Sequence, residues 1–275
     1  MKLHVITLSW DGARKLQNLQ YALKQNLLQL KNDMDFIWHV RDNGSKDNTK
    51  EILSTPWWEQ SELNLYEISH NRDSFATCVN YLFKEANPNN DDLILLLNND
   101  VIFTEQVALL KMWALMKKTD AAVVGARLMD NQNKLQHAGV IFSNKYGRMP
   151  WHYRRNENAD PASYADRYFQ AVTAAVCLVK ASSFKRVGGM CEDFKWAFED
   201  IHLCLQIGKD EKIAYAGETK ITHEESATLK LNPVNKMFME HNVNCFKKHW
   251  WKDGSPLYQI DHDLYLKNPK YNVID

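Results

Sequence analysis

An excess of either charge is missing from this chain. Its 275 residues carry 34 Lys and Arg against 34 Asp and Glu, a formal net charge of zero, with an isoelectric point near 7.1. Binding DNA or an anionic membrane through bulk charge needs a basic excess, so only local patches could do it. With 45% apolar and 25% charged residues, the chain also lacks the low hydrophobicity and high charge of a disordered protein. No run is apolar for the ~20 residues of a bilayer span. The opening MKLHVITLSWDGARK turns polar too early for a secretory signal. A cytoplasmic protein without an integral membrane segment is therefore expected. Cysteine is sparse: Cys78, Cys177, Cys191, Cys204 and Cys245 are odd in number and contain no C-x-x-C pair. A disulfide framework or a cysteine zinc site would need closer pairing, which leaves five reduced, mostly buried thiols. The glycine fingerprint for dinucleotides, the P-loop and the G-x-S-x-G nucleophile elbow are all absent. His223-Glu224-Glu225 does not extend to a zincin helix, because position 227 is Ala. There are no repeats and no low-complexity segments.

What is present is alternation. Val5–Ser9 reads as a strand rich in β-branched residues. Leu16, Leu19, Leu23, Leu27 and Leu30 then form one helical stripe. Phe36–Val40 and Leu63–Ile68 read as strands, and Phe75–Glu85 as a helix. Leu93–Leu97 is a continuous apolar run, as suits a strand buried on both faces of a parallel sheet. Glu105–Lys118 reads as a helix and Ala121–Gly125 as a strand. The second half is less regular. Leu135–Phe142 suggests a strand with a turn, and 144–168 a long loop. Val172–Lys180 is apolar again, a short helix starting at Ser182 is stopped by Gly188-Gly189, and Ala197–Ile207 is helical. Strands follow over Ile213–Ala216 and up to His223, and Val234–Trp251 forms a last helix. This is the pattern of a doubly wound, mostly parallel α/β sheet, in which ligands sit beyond the carboxyl ends of the strands. Asp42 and Asn98-Asn99-Asp100 lie at such ends. Taken singly, Asn98-Asn99-Asp100 also suits a turn, and Glu199-Asp200 also suits a helix start.

In combination these segments resemble the family-two glycosyltransferases of the GT-A fold, on the rhamnosyltransferase-like branch. The residues that carry the resemblance run in the family's order over about 3 to 230. Val40-Arg41-Asp42-Asn43-Gly44-Ser45-Lys46-Asp47-Asn48-Thr49 matches the xDNGSxDxT strand end. Asn71-Arg72-Asp73 through Asn80 matches the N-x-G helix opening, with Asp73 in place of Gly. Leu97-Asn98-Asn99-Asp100-Val101 matches LNxDV. Gly188-Gly189-Met190-Cys191-Glu192-Asp193-Phe194 and Phe198-Glu199-Asp200-Ile201-His202-Leu203-Cys204-Leu205-Gln206 match GGFDExF and FEDxDLxxR, with His202 and Gln206 as departures. Gln136-His137-Ala138-Gly139 and the late His223 complete the set.

The resemblance implies a catalytic domain over 1–230, with a nucleotide-sugar half at 1–125 and an acceptor half at 126–230. Residues 231–275 would form a helical extension packed on it. It implies a metal-dependent, inverting transfer of a hexosyl or rhamnosyl group from a nucleotide-diphosphate donor, UDP- or dTDP-linked, to a hydroxyl on a glycan, lipid or other acceptor. Asp100 and His223 would hold Mn²⁺ or Mg²⁺, which offsets charge on the leaving diphosphate. Asp200 would be the general base, with Glu199 orienting the acceptor or supporting the site. Thr7, Ser9, Asp42, Asn43, Arg72, Asn80 and Asn99 would contact the donor, and Trp151 and Trp196 the acceptor. Two alternatives stay open: a non-catalytic sugar-nucleotide or glycan-binding protein on this fold, and transfer to a hydroxylated nucleic-acid base. Lys247-Lys248-His249-Trp250-Trp251-Lys252, with Arg148, Arg154 and Arg155, could touch a phosphate or simply form solvated helix and loop surface.

Overall fold

A computed structural model describes residues 1–54, 62–67, 73–195, 197–224, 233–252 and 254–275. One long sheet runs through the molecule. Its first half is β1 (Lys2–Ser9), β2 (Asp35–Asp42), β3 (Glu62–Glu67) and β4 (Leu93–Leu97), all parallel, in the spatial order β3-β2-β1-β4. Beyond β4 the order continues with β11 (Val176–Lys180), β6 (Val123–Met129), β12 (Ile213–His223) and β10 (Arg167–Tyr168). β11 runs antiparallel to both β4 and β6, while β12 is parallel to β6. The sheet is thus mostly parallel but mixed, because the returning strand β11 is inserted at its centre and β10 pairs antiparallel at its edge.

The apolar run of β4 is buried on both faces, and its alternation assigns each residue to a side. Leu93, Leu95 and Leu97 join the core under α1 (Ala13–Leu28) and α4 (Ala108–Thr119). Ile94 and Leu96 join the opposite core, which holds side chains of α3 (Phe75–Ala86), α6 (Ala181–Arg186), α7 (Glu199–Ile207) and α8 (Pro233–Trp250). The leucine stripe of α1 is buried as its spacing requires. Ser74 caps α3, accepting from the Thr77 N–H at 3.2 Å.

Several boundaries differ from the sequence expectation, each for a tertiary reason. α4 starts at Ala108 rather than Glu105, because Glu105 leaves the helix to accept from the Lys220 backbone at 2.8 Å. The preceding residues form a short strand, β5 (Val101–Phe103), paired antiparallel with β12. The two late strands are one strand, β12, with a register shift between Ala216 and Ile221. A short helix, α2 (Thr49–Ser54), was not anticipated. The expected loop over 144–168 is built rather than open. It contains β9 (Trp151–His152), paired with β8 (Val140–Ile141), and α5 (Pro161–Tyr164), closed by a capping box between Asp160 and Ser163. Before it lies β7 (Leu135–His137), paired with β6. Near the end, α9 (Leu264–Lys267) places Tyr265 in the core. Among the described residues no helix is long and apolar enough to cross a membrane.

Candidate active site

The donor-side residues gather where β1, β2 and β4 end. Parallel pairing sets Ser9 beside Asp42. The Asn99 amide donates to Ser9 Oγ at 3.2 Å. A Cβ on Gly12 would lie 2.5 Å from Asn99 Nδ2, so a side chain here would displace the Asn99 amide. Asp42 accepts from the Ser45 N–H at 3.1 Å and the Ser45 hydroxyl at 2.5 Å, which curls the Asn43–Ser45 turn over the strand end. Asp47 accepts from the Ala13 N–H at 3.0 Å, capping α1 where Gly12 has no side chain to do so. Asn43 reaches the Asp73 carbonyl at 3.4 Å. Asp73 itself pairs with Arg41, a buried cation stacked 4.9 Å from the Tyr81 ring centroid. The Asp73 departure from the family pattern is thereby matched by a partner one residue before Asp42.

Two expected donor contacts are placed elsewhere. Thr7 is wholly buried, and its hydroxyl accepts from the Trp38 indole at 2.9 Å, so it braces the sheet beneath the site. Asn80 bridges Met190 in both directions at 2.9 Å and donates to Glu192, so its amide clamps the Gly188-Gly189 loop rather than facing a nucleotide. Arg72 and Trp196 lie outside the described residues.

The expected metal pair does meet. Antiparallel pairing of β5 with β12 brings His223 opposite Val101, so His223 Nε2 lies 3.0 Å from Asp100 Oδ1. Lys15 Nζ stands 3.7 Å from the other Asp100 oxygen. Gln136 Oε1 accepts from His223 Nδ1 at 2.7 Å, which leaves Nε2 as the nitrogen turned to Asp100. Asn98 Nδ2 sits 3.3 Å from that Nε2. One carboxylate oxygen and one imidazole nitrogen, side by side and held by outer partners, fit a divalent cation whose remaining positions are filled by other oxygens.

Asn98 also borders a cleft of about 370 Å³, whose walls include Trp151, His152, Thr173, Glu199 and Asp200. Asp200 Oδ2 accepts from the Ala174 N–H at 3.0 Å, and Oδ1 from the Ile201 N–H at 2.8 Å. Phe198 takes a left-handed turn with φ +76° to launch α7 at this point. Burial raises the Asp200 carboxyl above the ordinary aspartate range, with these N–H donors pulling the other way. Burial and then the neighbouring Asp200 charge push Glu199 up to about 8. Glu199 is 7% exposed, and its Oε2 has no hydrogen-bond partner. Trp151 is 41% exposed and stacks on Tyr146 with ring centroids 4.7 Å apart.

The sequence reading missed Gln136, His137, His152 and Lys15 as site residues. The signal for two of them was Gln136-His137-Ala138-Gly139, quoted for its resemblance but given no role. Gly139 turns at φ +97°, and a Cβ there would strike the Phe169 ring at 2.4 Å. That turn aims the Gly139 N–H at His137 Nε2, 3.3 Å away, and Thr173 adds a second N–H at 3.4 Å. With Nε2 accepting, the His137 proton sits on Nδ1 and is donated to His152 Nδ1 at 2.7 Å. The His152 proton is then fixed on Nε2, on a ring that lines the cleft. Burial keeps both rings neutral, with His152 lowered to about 3.

Among the basic and aromatic residues, Arg154 is held by Glu157 and Asp160. Arg148 covers Tyr258, and Lys247 covers Trp251. The His202 and Gln206 departures are internal. His202 Nδ1 accepts from the Trp250 indole of α8 at 3.2 Å, and Gln206 lies 3.4 Å from its other nitrogen.

Known proteins share this architecture. The mannosyltransferase PcManGT of Pyrobaculum calidifontis, solved with GDP-Man and Mn²⁺, superposes with a TM-score of 0.64 at 14% identity over 97% of this chain and 70% of its own. GalNAc-T7, solved with UDP, GalNAc and Mn²⁺, gives a TM-score of 0.65 at 10% identity over 92% of this chain and 48% of its own. In sequence, protein y4gI of Sinorhizobium fredii is 29% identical over 85% of this chain. The O-antigen biosynthesis protein RfbC of Myxococcus xanthus is 22% identical over 80%. The chain spans 27% and 17% of the lengths of those two relatives. The profile of glycosyl transferase family 2 matches residues 14–176, more than half of the sequence. The chain belongs to glycosyl transferase family 2.

Proposed function

We propose that the chain is a divalent-metal-dependent, inverting glycosyltransferase that moves a hexosyl or rhamnosyl group from a nucleotide-diphosphate donor to an acceptor hydroxyl. The observation that carries this reading is the adjacency of two chemistries. Asp200 faces the cleft at one side, and Asn98 joins that cleft to the Asp100–His223 pair. The relatives solved with UDP, UDP-GlcNAc or GDP-Man support a nucleotide sugar as donor, and two of those structures include Mn²⁺. A UDP- or dTDP-linked sugar is our preferred donor, and the O-antigen relative supports a glycan acceptor. Reduced thiols and a nucleotide-sugar substrate fit a cytoplasmic setting.

Asp42, Asn43, Ser9 and Asn99 form the rim against which the nucleoside would lie, and Lys15 adds positive charge beside Asp100. When bound by Asp100 and His223, Mn²⁺ or Mg²⁺ supplies charge neutralisation for the departing diphosphate. The Asp200 carboxylate takes the acceptor hydroxyl proton, and the oxygen attacks the anomeric carbon from the face opposite the leaving group. The bond to the diphosphate oxygen breaks with its electron pair, leaving the product inverted. Trp151 offers a sugar-stacking face. His152 Nε2–H is a donor for an acceptor-sugar oxygen.

A thermal-shift panel of UDP-glucose, UDP-galactose, UDP-GlcNAc, dTDP-rhamnose and GDP-mannose, each with Mn²⁺ or EDTA, tests donor and metal together. Asp200→Asn is expected to keep the Mn²⁺-dependent shift and lose about 10²–10⁴-fold in transfer rate. Asp100→Ala should lose both. Metal-independent shifts with no donor consumption would instead favour a non-catalytic sugar-nucleotide binder.

A further inference from the structure

A second cluster of metal-ligating side chains lies away from the cleft, where the loop after α6 meets α8. Cys191 and Asp193 come from that loop and His249 from the last turn of α8, and one ligand atom of each lies within 4.8 Å of the others. His249 Nε2 and Asp193 Oδ2 are 3.9 Å apart. We propose that Cys191, Asp193 and His249 form a structural zinc site that staples α8 to the loop preceding the catalytic helix.

The donor set selects the ion. One thiolate, one imidazole and one carboxylate are the ligands zinc takes, whereas Mg²⁺ and Mn²⁺ favour oxygen. Tetrahedral zinc holds its ligand atoms roughly 3.3–3.8 Å apart, so side-chain rotation has to close at most about 1.5 Å. The backbone is already docked for this. The Lys195 N–H donates to Asn242 of α8 at 2.9 Å, and His241 Nε2 contacts the Asp193 carbonyl at 2.8 Å. The free Cys191 thiol holds its proton because burial raises it, so binding Zn²⁺ releases that proton to solvent. No redox change is involved. The consequence is mechanical: Phe194 and Trp250 both pack on His202 of α7, so fixing the loop and α8 steadies the helix that carries Asp200.

Cobalt tests this separately from the Asp100–His223 pair, because only a site with sulfur gives a thiolate-to-cobalt charge-transfer band. Chelator-treated protein titrated with Co²⁺ should show that band, with tetrahedral visible absorption, saturating at one equivalent and displaced by Zn²⁺. Cys191→Ser and His249→Gln should lose it, and Asp100→Ala should keep it. Zn²⁺ should raise the Tm of the stripped wild type and leave that of His249→Gln unchanged. Absence of the band in the wild type, or its persistence in Cys191→Ser, overturns the proposal. If Cys191→Ser does not fold, the His249→Gln spectrum and Tm decide.

Discussion

Burial gives the two adjacent carboxyls of α7 different tasks. Asp200 keeps two backbone N–H donors and faces the cleft, so its charge has partners. Glu199 is buried with one oxygen unpartnered, which favours the protonated form. Because its folded value is raised, the stability linked to Glu199 is complete below the unfolded value near 4.5 and lost as pH rises through about 8. Tm measured from pH 4 to 9 should therefore show wild type losing ground to Glu199→Gln as pH rises, and parallel curves would contradict this. His152 makes a different residue-scale prediction. His152→Phe keeps a ring but removes both the Nε2–H donor and the Nδ1 acceptor of His137, so acceptor KM should rise about threefold to tenfold, the value of one hydrogen bond, and Tm should fall because the buried His137 N–H loses its partner. The donor thermal shift should stay unchanged.

At the scale of elements, strand pairing assembles what the motifs only suggest. β5 is three residues long, yet its antiparallel contact with β12 is what sets His223 against Asp100. β7 then supplies Gln136, whose amide accepts from His223 Nδ1 and donates to the His223 carbonyl at 3.2 Å, so ring and backbone are held together. Gln136→Leu preserves bulk and removes both bonds. Mn²⁺ affinity, read by titration in the presence of donor nucleotide, should fall about 10–100-fold, while Asp200 and the cleft are untouched. An unchanged affinity would show that Gln136 does not orient the ligand. The β7–β8 turn makes the parallel case for His137 and His152. Its roles were hidden in the sequence because a lone His in an apolar segment looks like core, and only the fold shows which nitrogen each ring has left.

For the molecule as a whole, the C-terminal region is part of the core. Phe246 of α8 is fully buried and stacks on Phe142, with centroids 6.0 Å apart, while Trp250 reaches His202 on α7. Phe246→Ala should cost about 3–5 kcal/mol, seen as a lower urea midpoint with an unchanged m-value. A loss below about 1 kcal/mol would mean that the helix docks only loosely. The same docking accounts for the departure at His202, which faces Trp250 of α8, and Gln206 faces His202 in turn.

The sequence by itself determined the apolar periodicities, and with them the strands and helices, because a strand buried on both faces and a helix stripe can be read from spacing alone. It also determined the strand-end clusters around Asp42 and Asp100 and the acidic helix start at Asp200. The tertiary structure decided which polar groups still have hydrogen-bonding capacity. Thr7 in the first strand and Asn80 in a matching motif were expected at the donor but are bound by Trp38 and Met190. Gln136 and His152 carried no assigned role but stand at the site. Hydrogen-bond capacity depends on partners far along the chain, and those are set only when the sheet closes.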